Sequence, residues 1–349
     1  SLSVHPVDRI PDLLLSGGNM IRARIVGTGS AVPEKILTNQ DLEKLVDTSD
    51  EWIVTRTGIR QRHIAASDEY TSTFAIQAAR NALDAAGIKP EELDLIVLAT
   101  VTPDMPFPAT ACIVQHELGA KNAVAFDISA ACAGFIYGLN LAENYIKTGA
   151  MQRILVIGAE VLTRIVDFTD RNTCILFGDG AGAVVLEAAQ GEHGEQGICS
   201  SHLFTNGDHW DLLYQPGVGS RISATAPNLL EERLHYLRMA GNDVFKYAVR
   251  AMGDAATKAL EHNGIAAEDL AMMIPHQANL RIIEATGKRL GVPDERIFVN
   301  LHKYGNTSSA SIPIAMDEAN RAGMLHKDDL VLLAAFGGGF TYGSALIRW

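Results

Sequence analysis

The feature of this sequence that most constrains its fold is an internal repeat. Residues 79–93, ARNALDAAGIKPEEL, align without a gap with residues 256–270, ATKALEHNGIAAEDL. Both stretches combine a helical pattern of apolar residues, a glycine typical of a helix C-cap and an acidic lead into an apolar strand. Each half also closes with a glycine-rich turn in an apolar hairpin, FGDG at 177–180 and FGGG at 336–339. We therefore predict a duplicated chain with two similar halves.

Strand-like runs alternate with helical periodicity along the chain. The strand-like runs include residues 93–100, 154–158 and 330–335, and the helical stretches include 73–86, 133–148 and 243–262. This alternation predicts an α/β fold with buried sheets, and 349 residues with 47% hydrophobic content can fill its core. We assign residues 20–190 to the first half and 191–349 to the second. The polar stretch 191–238 is interpreted as a connecting excursion.

Composition excludes several classes of function. A formal net charge of −12 opposes general attraction to nucleic acid or an anionic membrane, and 6% aromatic residues offer few stacking platforms for single-stranded nucleic acid. The four cysteines lack CxxC spacing, so the sequence predicts neither a disulfide framework nor a zinc site. We expect a cytoplasmic protein that binds neither nucleic acid nor metal.

Two segments must be compared with the patterns of a signal peptide and of a transmembrane helix. Residues 1–19 precede Met20 and lack the basic start and long apolar core of a signal peptide, so we interpret them as an N-terminal extension. Residues 330–347 are uncharged and reach transmembrane length, but the glycines at 337–339 interrupt them. A strand pair joined by a glycine turn explains this segment better, and we predict no insertion into a membrane.

One cysteine has the sequence context of a nucleophile. Cys132 lies in FDISAACAGF at 126–135, where a strand-like run meets a helical one through small residues. Unpaired N–H groups and the helix dipole at a helix N-terminus lower the pKa of a thiol and favour the thiolate. We therefore predict an ionised Cys132 with room for a narrow substrate arm. We interpret Cys112, Cys174 and Cys199 as inert structural residues.

Two polar clusters in the second half are further candidates. His276 lies in IPHQAN at 274–279, at the end of the strand that the repeat matches to residues 93–98, and open α/β folds place their sites at strand ends. Asn306 lies in YGNTSSAS at 304–311, a small-residue loop that runs into a helix. Taken alone, this loop is better explained as a helix N-cap segment. The other ten histidines are interpreted as surface or core residues.

With these three clusters in this order, the chain resembles the β-ketoacyl-acyl-carrier-protein synthase III family of the thiolase superfamily, from Met20 to Trp349. The matching motifs are GTG at 27–29, DTSDEWI at 47–53, TRTGI at 55–59, AACAGF at 130–135, FGDGAG at 177–182, PHQAN at 275–279, GNTS at 305–308 and FGGGF at 336–340. The resemblance implies a thiolase-like, duplicated αβαβα layered fold with two pseudo-symmetric halves. The first half would carry the cysteine nucleophile, and the second the histidine and asparagine.

The resemblance also implies a catalytic triad of Cys132, His276 and Asn306. Cys132 is expected to take an acyl group, most simply acetyl, from acyl-CoA before a decarboxylating malonyl-acyl carrier protein is joined to it. The backbone N–H groups of Cys132 and Gly338 are expected to bind the oxyanion, and His276 and Asn306 the enolate. Neither a metal nor a bound organic cofactor is implied.

Two binding surfaces follow from the same resemblance. Trp52 and Arg171 are expected to enclose the adenine of coenzyme A, since an aromatic ring and a guanidinium plane both suit a base. Arg56 and Thr48 are expected nearby, with Asn279 along the pantetheine arm. An acidic acyl carrier protein needs a confined positive surface on a chain of charge −12. The expected docking residues are Lys246, Arg281, Lys288 and Arg289.

The resemblance further implies a homodimer in which a phenylalanine of the partner closes the acyl tunnel. Phe107 is at the matching position, which favours a short primer. Residues 206–238 depart from the commoner family pattern, being longer and containing HW at 209–210 and GVGS at 217–220. Because this region covers the pocket in relatives, the length and branching of the primer stay open.

Three other interpretations compete with this one. Papain-like cysteine hydrolases also have Cys, His and Asn in this order, but their Trp-containing cysteine motif is missing here and the duplicated α/β pattern contradicts them. A non-catalytic acyl-CoA-binding relative is disfavoured by the intact triad. A specialised condensing enzyme of secondary metabolism would share every chemical residue, and the sequence alone leaves it open.

Overall fold

A computed structural model describes residues 20–191 and 195–349, so the N-terminal extension expected at residues 1–19 lies outside the described residues. The strands are β1 Met20–Ala31, β2 Ile36–Thr38, β3 Gln61–His63, β4 Leu95–Ala99, β5 Val124–Ile128, β6 Arg153–Glu160, β7 Gly180–Gly191, β8 Gly197–Thr205, β9 Leu213–Tyr214, β10 Arg238–Met239, β11 Met272–Pro275, β12 Leu330–Gly337 and β13 Thr341–Arg348. The helices are α1 Asn39–Leu42, α2 Asp50–Thr57, α3 Thr71–Ala86, α4 Thr110–Leu118, α5 Gly134–Lys147, α6 Gly241–Asn263, α7 Leu280–Leu290, α8 Leu301–Tyr304 and α9 Ser311–Arg321.

The repeated sequence forms the same structure twice. Gly87 is the C-cap of helix α3 and Gly264 is the C-cap of α6. Both glycines adopt left-handed backbone angles, with φ of 66° and 62°. Residues with a side chain rarely adopt this conformation, which explains the glycine at both helix ends. A single 3-10 turn follows each glycine and leads into β4 or β11. The predicted repeat is confirmed.

Two sheets share one strand order. The first runs β1-β7-β6-β4-β5, and the second, read from its opposite edge, runs β8-β13-β12-β11. In both sheets the first two pairs are antiparallel and the third is parallel. The counterpart of β5 is reduced to a parallel bridge between Met273 and Ile297. The two halves therefore have equivalent topologies.

The helices and sheets form five alternating layers. Helices α5 and α9 pack between the two sheets, α3 and α4 cover the outer face of the first sheet, and α6 and α7 cover that of the second. Strand β4 is apolar throughout because Leu95 and Val97 face the central helices while Ile96 and Leu98 face the outer ones. This is the expected thiolase-like αβαβα architecture.

Residues 330–347 form a strand pair, as predicted. Strands β12 and β13 are antiparallel, and the turn that joins them contains Gly338 and Gly339. Within residues 20–191 and 195–349, no helix is long and apolar enough to cross a membrane.

Two expectations about the connections were wrong. The FGDG segment at 177–180 is not a hairpin turn, because residues 161–179 separate β6 from β7 and Phe177 forms a bridge with Asn306 instead. The stretch 191–238 is not simply an excursion, since it contains β8, which pairs with β13 in the second sheet. Strand β8 is polar for a sheet member because it lies at the edge of its sheet. The division after residue 190 stays a prediction.

Candidate active site

Side chains from both halves meet at one small cavity. Cys132, His276 and Asn306 all line a cavity of about 90 Å³. Most of the remaining wall is apolar and includes Met239, Val244, Phe245, Ala248, Met252 and Phe336. A narrow apolar cavity with a few converging polar groups suits a small acyl group carried on a flexible arm.

Cys132 lies where a strand gives way to a helix, as predicted. It is the central residue of a 3-10 turn, Ala131–Ala133, which leads directly into α5. The preceding residue, Ala131, has a φ of 46°, in the left-handed region that non-glycine residues seldom adopt. Cys132 is only 8% exposed. The sharp turn therefore presents the sulfur to an almost closed cavity.

The predicted ionisation of Cys132 is wrong for the resting protein. Burial raises the pKa of its thiol to about 12; a hydrogen bond with Ser308 lowers this pKa in part, and a carboxylate at Glu160 raises it further. Placing a thiolate in a buried site is costly, and this desolvation is the largest contribution to the raised pKa. The Cys132 side chain is a neutral thiol at pH 7.

The glycine turn between β12 and β13 packs on the nucleophile. A Cβ atom added to Gly337 would lie 2.5 Å from the backbone nitrogen of Cys132, so only glycine allows this approach. The Thr341 hydroxyl donates to the Ala130 carbonyl oxygen at 2.7 Å, and its oxygen lies 3.2 Å from the Gly338 carbonyl oxygen. These contacts hold the turn that carries Gly338 beside the loop that carries Cys132.

His276 follows β11, at the strand end where it was expected. It is 1% exposed, and burial lowers its pKa to about 3, so the imidazole is neutral at pH 7. Its Nδ1 lies 2.6 Å from the Ser311 hydroxyl oxygen, which also accepts the Gln277 N–H at 3.3 Å. Within the described residues the Ser311 proton has no other acceptor, so it goes to Nδ1. The ring proton is therefore on Nε2, which makes Nε2 a donor.

Asn306 is fixed by backbone and side-chain contacts. Its N–H donates to Leu176 at 2.8 Å, and its carbonyl accepts the Gly178 N–H at 3.0 Å. Its Oδ1 accepts the Ser308 N–H at 2.9 Å, and Ser308 has a left-handed φ of 50°. Because Oδ1 is engaged, the opposite side of the carboxamide presents the Nδ2 donor. Asn306 and His276 can thus both donate hydrogen bonds in the cavity.

The site combines a nucleophile with neutral hydrogen-bond donors. A thiol can form an acyl thioester, and fixed neutral donors in a low-dielectric cavity stabilise an oxyanion or enolate as charge develops. Across residues 20–191 and 195–349, no group of three or more His, Cys, Asp or Glu side chains could hold a metal ion. This chemistry is that of acyl transfer and carbon–carbon bond formation.

Four of the five candidates for coenzyme A binding contact one another, and the fifth is Thr48. The guanidinium carbons of Arg56 and Arg171 each lie 4.5 Å from the centre of the Trp52 ring. The Thr48 hydroxyl oxygen is buried and has no partner within the described residues. Asn279 lines the cavity, caps α7 through the Arg281 N–H and donates to the Arg56 carbonyl at 3.0 Å. Asn279 therefore connects the cavity with the Trp52 group.

The other predicted residues lie outside the cavity. Phe107 is 83% exposed on the protein surface. Arg281 and Lys288 are exposed on α7, and Lys246 lies 3.7 Å from Asp243 on α6. Arg289 differs from the other three predicted docking cations, because it donates to the Arg250 carbonyl at 2.7 Å and pairs with Asp254, which ties α7 to α6.

Sequence reasoning missed three side chains near the site. Ser311 sets the tautomer of His276, Ser308 hydrogen-bonds the Cys132 thiol, and Glu160 lies buried close enough to influence that thiol. The two serines belong to a small polar run that is equally typical of a helix cap. Glu160 gave a usable signal, since an acid as the last residue of a long apolar strand is unusual for a buried sheet.

Solved structures share this architecture over almost the whole chain. A 3-oxoacyl-[acyl-carrier-protein] synthase III from Aquifex aeolicus VF5 is 49% identical, with a TM-score of 0.86 over 94% of this chain and 100% of that one. The priming β-ketosynthase of the R1128 polyketide biosynthetic pathway is 36% identical, with a TM-score of 0.86 over 97% of this chain and 98% of that one. The fold and the cysteine site define a condensing enzyme of the thiolase-like class.

Sequence comparison narrows this class to one family. Residues 126–207 match the family model for 3-oxoacyl-[acyl-carrier-protein] synthase III, and residues 260–349 match that of its C-terminal part. The β-ketoacyl-[acyl-carrier-protein] synthase III of Caldanaerobacter subterraneus subsp. tengcongensis is 54% identical over 94% of this chain and 98% of its own length. That of Roseiflexus sp. (strain RS-1) is 52% identical over 94% and 98%. The chain belongs to the β-ketoacyl-[acyl-carrier-protein] synthase III family and is an initiating condensing enzyme of fatty-acid synthesis.

Proposed function

We propose that the enzyme joins an acetyl group from acetyl-CoA to malonyl-acyl carrier protein. The products are a 3-ketoacyl-acyl carrier protein, coenzyme A and carbon dioxide. The observation that supports this proposal is the convergence of Cys132, His276 and Asn306 on one small apolar cavity. The cavity of about 90 Å³ has room for a short primer, and its mostly apolar wall suits an alkyl group.

In the first step the Cys132 sulfur attacks the thioester carbonyl of acetyl-CoA. The new carbon–sulfur bond replaces the bond to coenzyme A, and the thiol proton leaves on the coenzyme A sulfur. The Cys132 and Gly338 N–H groups stabilise the tetrahedral oxyanion. Because the resting thiol is neutral, its proton is lost only when a bound thioester supplies the new bond.

In the second step malonyl-acyl carrier protein loses carbon dioxide. The electrons of the broken carbon–carbon bond form an enolate, whose oxygen accepts hydrogen bonds from His276 Nε2–H and Asn306 Nδ2–H. The enolate carbon attacks the acetyl-Cys132 carbonyl, and the carbon–sulfur electrons return to sulfur. A proton from solvent restores the thiol. These steps use no metal and no bound organic cofactor.

The remaining contacts are assigned on the same basis. Trp52, Arg56 and Arg171 bind the adenine end of coenzyme A, and the unpartnered Thr48 hydroxyl and the Asn279 amide bind other parts of it. Lys246, Arg281, Lys288 and Arg289 bind the acidic carrier protein.

The enzyme is proposed to be a cytoplasmic homodimer. Phe107 is 83% exposed and would be covered if it closed the acyl cavity of a second copy. All four cysteines are free, which suits a reducing compartment.

Intact-protein mass spectrometry with a panel of acyl-CoA primers tests the reaction. We expect one acetyl adduct per chain on the wild type and on the matched control Cys112→Ala, which removes an exposed cysteine. Cys132→Ala should carry none. Malonyl-acyl carrier protein should then discharge the adduct and yield the 3-ketoacyl product. An adduct that persists on Cys132→Ala, or that malonyl-acyl carrier protein does not discharge, would contradict the proposal.

A further inference from the structure

A buried carboxyl group connects the half that carries Cys132 with the loop that carries Asn306. Glu160, the last residue of β6, has no exposed surface and forms no salt bridge within the described residues. Its Oε2 faces residues that follow β4, and its Oε1 faces Ser309, three residues after Asn306. Each carboxyl oxygen thus contacts a different half of the duplicated fold.

The partners of Oε2 are all donors. It accepts the Val101 N–H at 3.0 Å and the Thr102 N–H at 3.2 Å, and it lies 2.7 Å from the Thr102 hydroxyl and 3.1 Å from the Thr100 hydroxyl. Both hydroxyl oxygens already accept a backbone N–H, Thr100 from Thr102 at 3.0 Å and Thr102 from Val161 at 2.9 Å. Within the described residues Oε2 is the only acceptor in reach of the two hydroxyl protons, so both point to Glu160. Oε2 can carry no proton of its own in this arrangement.

The contact at Oε1 requires a proton that Ser309 cannot supply. The Ser309 hydroxyl oxygen lies 2.9 Å from Oε1 and 2.9 Å from the Ala99 carbonyl oxygen. A carbonyl only accepts, and a hydroxyl has one proton, so an ionised Glu160 would leave one of these close contacts without a hydrogen. A proton on Oε1 satisfies both, because Glu160 then donates to Ser309 and Ser309 donates to Ala99. Burial raises the pKa of Glu160, in the same direction.

Ser309 is next in sequence to a residue that contacts two catalytic groups. Ser308, its neighbour, donates its N–H to Asn306 Oδ1 and hydrogen-bonds the Cys132 thiol. Ser309 packs tightly on β6, since a Cβ atom at Gly158 would lie 2.2 Å from the Ser309 carbonyl oxygen.

We propose that Glu160 is a neutral carboxylic acid in the resting enzyme and acts through Ser309 as a positioning residue, holding the Asn306 loop against Cys132. Its role in the reaction rests on the function proposed above. A neutral acid satisfies both contacts of the Ser309 hydroxyl, which a carboxylate does not, and it places no negative charge beside the thiolate, the oxyanion and the enolate. The groups that face Glu160 from neighbouring elements are hydroxyls, backbone N–H groups and the Cys132 thiol, so no cation offsets such a charge.

Infrared spectroscopy and alkylation test the protonation state without any substrate. We expect the carbonyl band of a protonated carboxylic acid in the wild type at pH 7, and its loss in Glu160→Gln. The glutamine amide reproduces the acid, since its oxygen accepts at Oε2 and its N–H donates to Ser309. The rate of Cys132 alkylation at pH 7, which follows the thiolate fraction, should therefore stay within about threefold in Glu160→Gln. A missing band, or a rate at pH 7 higher by about tenfold or more in Glu160→Gln, would overturn the proposal.

Ser309→Ala tests the positioning role. Malonyl-acyl carrier protein decarboxylation should fall about tenfold while acetyl transfer to Cys132 changes little, because only the Asn306 loop loses its support. Ser344→Ala is the matched control, a buried serine whose hydroxyl donates to the Ala255 carbonyl instead. Equal losses in both half-reactions, or equal effects of the two variants, would refute the role. If Glu160→Gln fails to fold, the wild-type band and its shift in Ser309→Ala still decide the protonation state.

Discussion

Arg62 is a buried charge that no acid neutralises, and replacing it should test how the site is supported. Its side chain has no exposed surface and forms no salt bridge within the described residues. The guanidinium donates to the Leu37 carbonyl at 3.2 Å, to Asn39 Oδ1 at 2.9 Å and to the Ile175 carbonyl at 2.7 Å. The residues just after Ile175 form the backbone pairing with Asn306. Arg62→Met should therefore weaken both the fold and the Asn306 loop.

Two opposing terms set the size of the effect. Leaving two buried oxygens and the partly buried Leu37 oxygen without this donor costs about 1 to 3 kcal/mol each. Burial lowers the pKa of Arg62 to about 10, so removing the charge recovers roughly 3 kcal/mol of desolvation. Methionine fills most of the vacated volume and adds little cavity cost. We expect a net loss of about 3 kcal/mol in the free energy of unfolding.

Urea unfolding at one fixed protein concentration measures this loss, since the stability of the proposed dimer would depend on concentration. Arg60→Met is the matched control, because it removes an exposed arginine two residues away and should change stability by less than about 0.5 kcal/mol. A loss under about 1 kcal/mol for Arg62→Met would refute the reasoning. It would mean that the desolvation cost of the guanidinium equals the value of its hydrogen bonds.

Four further outcomes are expected. Phe107→Thr should admit longer primers, and an unchanged acyl-CoA preference in the mass-spectrometric panel would count against its place in the acyl tunnel. Arg281→Glu should weaken use of malonyl-acyl carrier protein far more than priming by acetyl-CoA; equal loss in the two assays would contradict the docking surface. Trp52→Ala should raise KM for acetyl-CoA about tenfold with kcat nearly constant, and a fall in kcat alone would argue against a role in binding. Because the pKa of His276 is about 3, malonyl decarboxylation should not change through ionisation of this residue between about pH 6 and 8; a midpoint near 6.5 that disappears in His276→Gln would contradict the neutral donor.

The repeat predicted the architecture because helix ends and strands are set by short stretches of sequence, and the same stretches occur in both halves. The glycine caps of α3 and α6 and the strands that follow them depend on short stretches of sequence, and both were found as expected. The prediction that Cys132 is ionised was wrong because the burial of its thiol depends on tertiary packing. This packing brings Gly337 against the Cys132 loop, about 200 residues earlier in the chain. The position of Cys132 was therefore predictable, but its protonation state was not.

The equivalence of the two halves explains why the site lies between them. His276 follows β11, whose counterpart is β4, and the residues after β4 are Thr100 and Thr102, which hold Glu160. Cys132 follows β5, and Asn306 follows the Ile297 bridge that stands in place of β5 in the second half. Packing two such halves brings three of these strand ends to the cavity, and the fourth, after β4, holds Glu160, which contacts Ser309. The repeated topology thus explains where these residues lie. The residues that follow the strands differ, and they provide the nucleophile Cys132, the donors His276 and Asn306, and the hydroxyls that hold Glu160.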